Sequence, residues 1–158
     1  VEKGLRENLV KGVLAGFPMM GLRAKLYDGS SHPVDSSEMA FKTAARIAYK
    51  QCINASPVLL EPIMHVEISV PDEYMGDIMG DMNKRRGRIL GMEQADGKQL
   101  IIAEVPQAEM FKYATDLRTM TQAKGPFKMN FERYEEVPAA IAAKIIEAHK
   151  ADLADDED

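Results

Sequence analysis

Three groups of residues in this chain could do chemistry or hold a charged partner. The first lies in DGSSHPVDSSE, Asp28 to Glu38, where His32 sits among serines and a proline, with Val34 as the one aliphatic neighbour. An imidazole there can titrate near neutral pH or serve as a polar, ring-shaped contact. The second is NKRRGRILG, Asn83 to Gly91, which places Lys84, Arg85, Arg86 and Arg88 around one turn. A helix C-terminus accounts for one or two such bases. Four suit phosphates, whose binding is strengthened by counterion release. Lys112, Arg118, Lys124 and Lys128 extend the set into an expected basic rim. The third group is weak. Cys52 stands alone in a small-residue stripe and reads as packing. His65 reads as an ordinary strand histidine, and His149 carries no signal. No GxxxxGK[ST] phosphate loop and no zinc-type Cys/His spacing occurs.

Composition bounds what these groups can serve. The 158 residues suffice for one large domain or two small ones, and the single cysteine excludes an internal disulfide framework. A reducing, cytoplasmic setting is expected. No apolar run has the length of a membrane helix, so no membrane partner is expected. The net charge is −5, but the closing DLADDED holds five acids, and without it 20 acids face 20 bases. The body is neutral, local patches decide what it binds, and the tail reads as a solvated end.

The elements that must position these groups follow from periodicity. Residues 2–16 read as a helix with Leu5, Leu9, Val13 and Gly16 on one face, and Gly12 and Gly16 suggest close backbone approach. GLRAKLY, Gly21 to Tyr27, alternates as a strand. Asp35 or Ser36 starts a second helix with capping-box spacing to Glu38, running to about Asn54 with Phe41, Ala45, Ala48 and Cys52 as its stripe. One strand makes no sheet, so this unit reads as part of a domain whose other strands lie elsewhere. After the proline-bounded NASPVLLEP, a repeat begins. Strands at Ile63–Val70 and Gln99–Val105 each precede a helix, lined by Met75, Ile78 and Met82 or by Met110, Ala114 and Leu117. Each helix ends near a glycine, Gly87 or Gly125, before a further strand, and Ala95–Gly97 forms a tight hairpin. The order β-α-β-β-α-β predicts an α+β, ferredoxin-like split βαβ sandwich. A last helix from Pro138 should dock. The central strands carry no aromatic ring, so any RNA contact would use loops and helix ends rather than stacking on the sheet.

LYDGSSHPVDSSEMAFK, PVLLEPIM, EYMGDIMGDMNKRRGRILGME, AEVPQAEMFKYATDLRTMTQ and YEEVP follow one another along nearly the whole chain. Together they resemble the C-terminal part of bacterial elongation factor G. The resemblance implies that residues 1–56 are the second half of domain IV, with partner strands upstream of Val1. It implies that residues 57–136 are domain V, ferredoxin-like, and that 137–158 form a C-terminal helix and acidic tail packed back towards domain IV. The family is a translational GTPase that moves tRNA and mRNA through the ribosome. The resemblance implies that GTP and Mg belong to a nucleotide-binding domain absent here, so no cofactor and no enzymatic activity are expected of this chain alone.

What the resemblance implies for sites is specific. Gly29, Ser30, Ser31, His32 and Pro33 match the domain IV tip that reaches the A-site tRNA and mRNA, His32 standing at the position modified to diphthamide in the eukaryotic counterpart. Domain V would face large-subunit rRNA, with Thr121, Gln122 and Lys124 in its TQxxGxF loop and Lys84, Arg85, Arg86 and Arg88 as further rRNA-facing candidates. Ser31, Pro33, Ala123-Lys124 and Pro126 depart from the family pattern and leave open a specialised paralogue, acting in recycling or with altered GTP dependence. Two other classes are a free-standing ferredoxin-like regulatory domain with a small ligand and a ribosome-protection protein. The exposed apolar surface of an incomplete domain IV predicts self-association.

Overall fold

The computed structural model describes residues 1–154; the acidic run from residue 155 lies outside them. The chain divides into two compact units, one of residues 1–59 with 137–158 and one of Leu60–Glu136.

The second unit is built on strand alternation. In β1 (Leu60–Pro71), Val66, Ile68 and Val70 are fully buried and Met64 nearly so, while His65, Glu67 and Ser69 face the other way. β2 (Arg88–Ala95), β3 (Lys98–Pro106) and β4 (Phe127–Glu136) complete a sheet of order β2-β3-β1-β4, antiparallel throughout. This is the ferredoxin-like arrangement. The β2–β3 hairpin turns on Asp96 and Gly97, at φ of 51° and 72°, the left-handed pair that a two-residue hairpin needs. Both edge strands carry a register shift, β2 between Ile89 and Gly91 and β4 opposite Ile63 and Met64. On β4 the extra residue puts Phe131 opposite Met64 but Arg133 opposite Ile63, so these two side chains point to opposite faces.

Helices α3 (Met75–Lys84) and α4 (Tyr113–Thr121) cover the apolar face. Ile78, Met82 and Leu117 are buried as the periodicity predicts. Ala114 is exposed, and Tyr113 takes its place in the core, because Met110 belongs to a preceding 3-10 turn (Gln107–Met110) and the helix starts three residues later. A turn inserted between these residues shifts the buried stripe by one position.

The first unit departs more from the sequence expectation. Helix α1 spans only Glu2–Asn8, and the Asn8 side-chain amide donates to the Gly4 carbonyl at 2.6 Å. Such a local bond competes with helix continuation. Gly12 and Gly16 lie in the turn that follows, where the Gly12 N–H reaches the Phe17 carbonyl at 2.6 Å. The close helix–helix approach occurs instead at Gly4, where a Cβ would stand 2.9 Å from the Lys42 Cα of α2 (Glu38–Lys50). Of the expected stripe Phe41, Ala45, Ala48 and Cys52 only Ala45 is buried; Tyr49 joins it, its hydroxyl donating to the Lys11 carbonyl at 2.8 Å. No strand forms at Gly21–Tyr27. The segment is exposed, with Leu26 and Tyr27 at 71% and 89%, and every strand among the described residues belongs to the other unit. Alternation without a neighbour leaves backbone N–H and C=O groups to water. Helices α5 (Ala139–Ala148) and α6 (Lys150–Ala154) join this unit, with the His149 ring 5.1 Å from that of Phe17.

Candidate functional site

The loop around His32 is organised by two serines. Ser37 caps α2, its Oγ accepting the Ala40 N–H at 3.1 Å, two residues later than the capping-box spacing from Asp35 to Glu38 predicts. Ser36 closes the loop on itself. Its Oγ accepts the His32 N–H at 2.7 Å, and its N–H donates to the His32 carbonyl at 3.1 Å. Asp28 Oδ1 accepts the Gly29 N–H at 2.7 Å. Both backbone polar groups of His32 are therefore engaged, while its ring is exposed and forms no hydrogen bond among the described residues. Gly29, Ser30, Ser31 and Pro33 are exposed beside it. Among the described residues no carboxylate or thiol pairs with the imidazole, so the arrangement suits a contact rather than acid–base catalysis. Among the described residues no group of His, Cys, Asp and Glu is placed to hold a metal ion.

The basic clusters look different once partners are counted. Arg85 donates to Asp81 Oδ2 at 2.9 Å, to Asp116 Oδ2 at 2.5 Å and to the Glu109 carbonyl at 2.7 Å, with its guanidinium 4.9 Å over the Tyr113 ring. Its side chain is 13% exposed. Arg86 grips Glu61 with two bonds of 2.9 Å and reaches Glu109 Oε1 at 3.1 Å. Its backbone is held at φ 57°, a left-handed conformation costly for a residue with a Cβ. Arg88 pairs with Glu104 across the β2–β3 ladder, and Arg133 grips the same carboxylate at 2.8 and 2.7 Å. Hydrogen bonds from Arg133 and then from Arg88 lower the Glu104 pKa to about 2. Burial, followed by the charge of Asp81, pushes the Tyr113 phenol up, and its hydroxyl finds no partner among the described residues.

Position separates the clusters further. Arg85 and Arg86 meet Glu109 and Asp116, at the start of α4, whereas Lys124, just past the end of α4, approaches Glu73 at 3.8 Å and the Tyr74 ring at 5.9 Å, just before α3. The helices run antiparallel, so the two clusters stand at opposite ends of the helix layer and form no single rim. Lys84 is exposed and has no ion pair among the described residues; Gln122 is exposed at φ 50°. Thr121 is fully buried, its hydroxyl donating to the Leu117 carbonyl at 2.7 Å, which removes it from any surface. Sequence reasoning passed over Glu61, Glu104, Glu109 and Tyr113. One signal was available: Glu104 interrupts the apolar run LIIAEV, and a carboxylate in a central strand calls for a paired cation.

Comparison with known proteins accounts for both units. Residues 1–56 match the family model "Elongation factor G, domain IV", and residues 58–145 match "Elongation factor G C-terminus". The crystal structure of a Thermus thermophilus protein, designated ttk003000868, is similar at a TM-score of 0.84 and 45% identity. The alignment covers 95% of this chain and 23% of that one, so this chain spans about a quarter of its relative. No helix among the described residues is long and apolar enough to cross a membrane. The chain belongs to the elongation factor G family and carries its domain IV and C-terminal segments.

Proposed function

We propose that this chain is the ribosome-engaging part of a translation factor that promotes GTP-dependent movement of tRNA and mRNA. In this reading Gly29 to Pro33 form a tip directed at the A-site tRNA and mRNA in the decoding region. The second unit faces large-subunit rRNA. GTP and Mg are handled by a nucleotide-binding domain in a longer parent, and the factor works in the cytoplasm. The observation that carries the reading is the exposed His32 ring on a backbone fixed by Ser36. A loop stiffened in this way can present a contact at low entropic cost. The rRNA-facing role falls most naturally to Lys84, Gln122 and Lys124, which are exposed, and to Arg88, whose side chain is 65% exposed despite its pair with Glu104. Arg85 and Arg86 would act by shaping that surface.

The test uses the longer parent factor. His32→Ala should slow translocation while changing stability by no more than roughly half a kcal/mol. Unchanged translocation would overturn the tip role, and a large fall in melting temperature would make His32 structural. Ser31 and Pro33, which flank the histidine with residues unusual for the family, favour a second reading as a specialised paralogue in recycling or with altered GTP dependence. Recycling and translocation assays on the same factor separate the two.

A further inference from the structure

In the second unit, the 3-10 turn that precedes α4 leads into an exposed aromatic ring. Met110 before it and Tyr113 after it are buried, so Phe111 and Lys112 are anchored on both sides while their own side chains face solvent. Phe111 is 77% exposed, the most of any aromatic side chain in Leu60–Glu136. Lys112 follows at φ 59°, a left-handed conformation disfavoured for a residue with a Cβ. Its carbonyl accepts the Thr115 and Asp116 N–H groups at 3.0 and 3.1 Å, so the same residue starts α4 and turns the ring away from the core. The exposed residues that flank the pair in the chain are Gln107, Ala108, Ala114 and Thr115. None is large and apolar, so nothing beside the ring in the chain extends it into the kind of patch that protein partners use.

The charge left over around this ring is positive. Glu109 and Asp116, the acids on either side of it in the chain, are taken by Arg86 at 3.1 Å and by Arg85 at 2.5 Å. Lys112 is left without a carboxylate among the described residues, and its Nζ stands 5.5 Å from the centroid of the Phe111 ring. Arg85 also donates to the Glu109 carbonyl at 2.7 Å, which ties the end of α3 to this turn. That tie brings Lys84, likewise without an ion pair among the described residues, to the same end of the helix layer. An open aromatic face beside an ammonium group is the pairing with which proteins hold single-stranded nucleic acid: the base stacks and the adjacent phosphate takes the amine. We infer that Phe111 and Lys112 form a stacking platform for one unpaired base of RNA, with Lys112 and Lys84 taking the flanking phosphates. This contact deepens the rRNA-facing reading of the second unit, on which it rests. The ring that the central strands lack comes from a turn instead of the sheet.

Binding of the longer parent factor to intact ribosomes, measured between about 50 mM and 200 mM salt, tests this. Phe111→Leu keeps the apolar bulk that a protein contact would need but loses the aromatic face. It should weaken binding about tenfold, whereas Phe111→Tyr should stay within about twofold of wild type. Lys112→Gly suits the left-handed backbone and removes the amine. It should weaken binding several-fold and make the slope of log affinity against log salt shallower by about one. Ultraviolet irradiation of the wild-type complex should cross-link Phe111 to rRNA. Equal binding by wild type and Phe111→Leu, or a Phe111 cross-link to a ribosomal protein, would overturn the inference and leave the ribosome-engaging role standing. Failure of the wild-type factor to bind ribosomes at all would overturn both.

Discussion

The arginine cluster of the second unit and the polar loop of the first handle their polar groups differently. In Leu60–Glu136, arginines that look like a phosphate-binding cluster are held by acids drawn from other elements: Arg86 by Glu61 and Glu109, Arg88 and Arg133 by Glu104. In residues 1–59 the polar tip holds its backbone with serines and leaves its ring to solvent. A run of bases is therefore a poor guide to a binding surface until its partners are located.

The sharpest way to break this contrast is Arg86→Ala. It would strand Glu61, whose side chain is only 11% exposed, and should cost about 2–3 kcal/mol in urea unfolding, somewhat less than a fully buried pair. A loss below about 0.5 kcal/mol would return Arg86 to the free surface cations. On the same logic, charge reversal at Arg85 and Arg86 should first lower stability, so ribosome binding by such variants has to be judged on folded protein.

Glu104→Gln should have a smaller effect with a pH signature. The folded pKa of Glu104 is lowered from 4.5 to about 2, so its contribution is complete above the unfolded value and is lost as pH falls through the folded one. Its partners Arg88 and Arg133 are 65% and 37% exposed, which limits the contribution to about 1–2 kcal/mol. The variant should lose that much at pH 7, and its stability should fall less steeply than wild type between pH 4.5 and 2. Parallel acid profiles would mean that the ion-paired face contributes nothing. The smallest effect belongs to the tip. Ser37→Ala removes the α2 cap and should cost about 1 kcal/mol by thermal unfolding.

The second unit was largely legible because its signals are local and redundant. Strict alternation in Met64–Val70, the Asp96–Gly97 turn and the helical spacing of Ile78 and Met82 all point to one fold. Its misreading, Ala114 for Tyr113, came from a turn that periodicity cannot register. The first unit was less legible because the same signals need partners. GLRAKLY alternates but pairs with nothing, and the helix expected through residue 16 gives way once Asn8 bonds back to Gly4. Polarity and turn chemistry marked Asp28 to Glu38 as a loop leading into a capped helix, and the structure has residues 28–35 exposed ahead of the Ser37 cap. It overestimated the basic rim because ion pairs such as Arg86–Glu61 join residues 25 apart.

The register shifts in β2 and β4 have a consequence beyond turning side chains. In the order β2-β3-β1-β4 these are the two margins of the sheet, the places where a strand from another molecule would have to add. An added strand needs an unbroken row of donors and acceptors at regular spacing, and each margin presents a row interrupted partway along. The sheet is thereby self-limiting: it stops at four strands on both sides, which guards against edge-to-edge growth into aggregates.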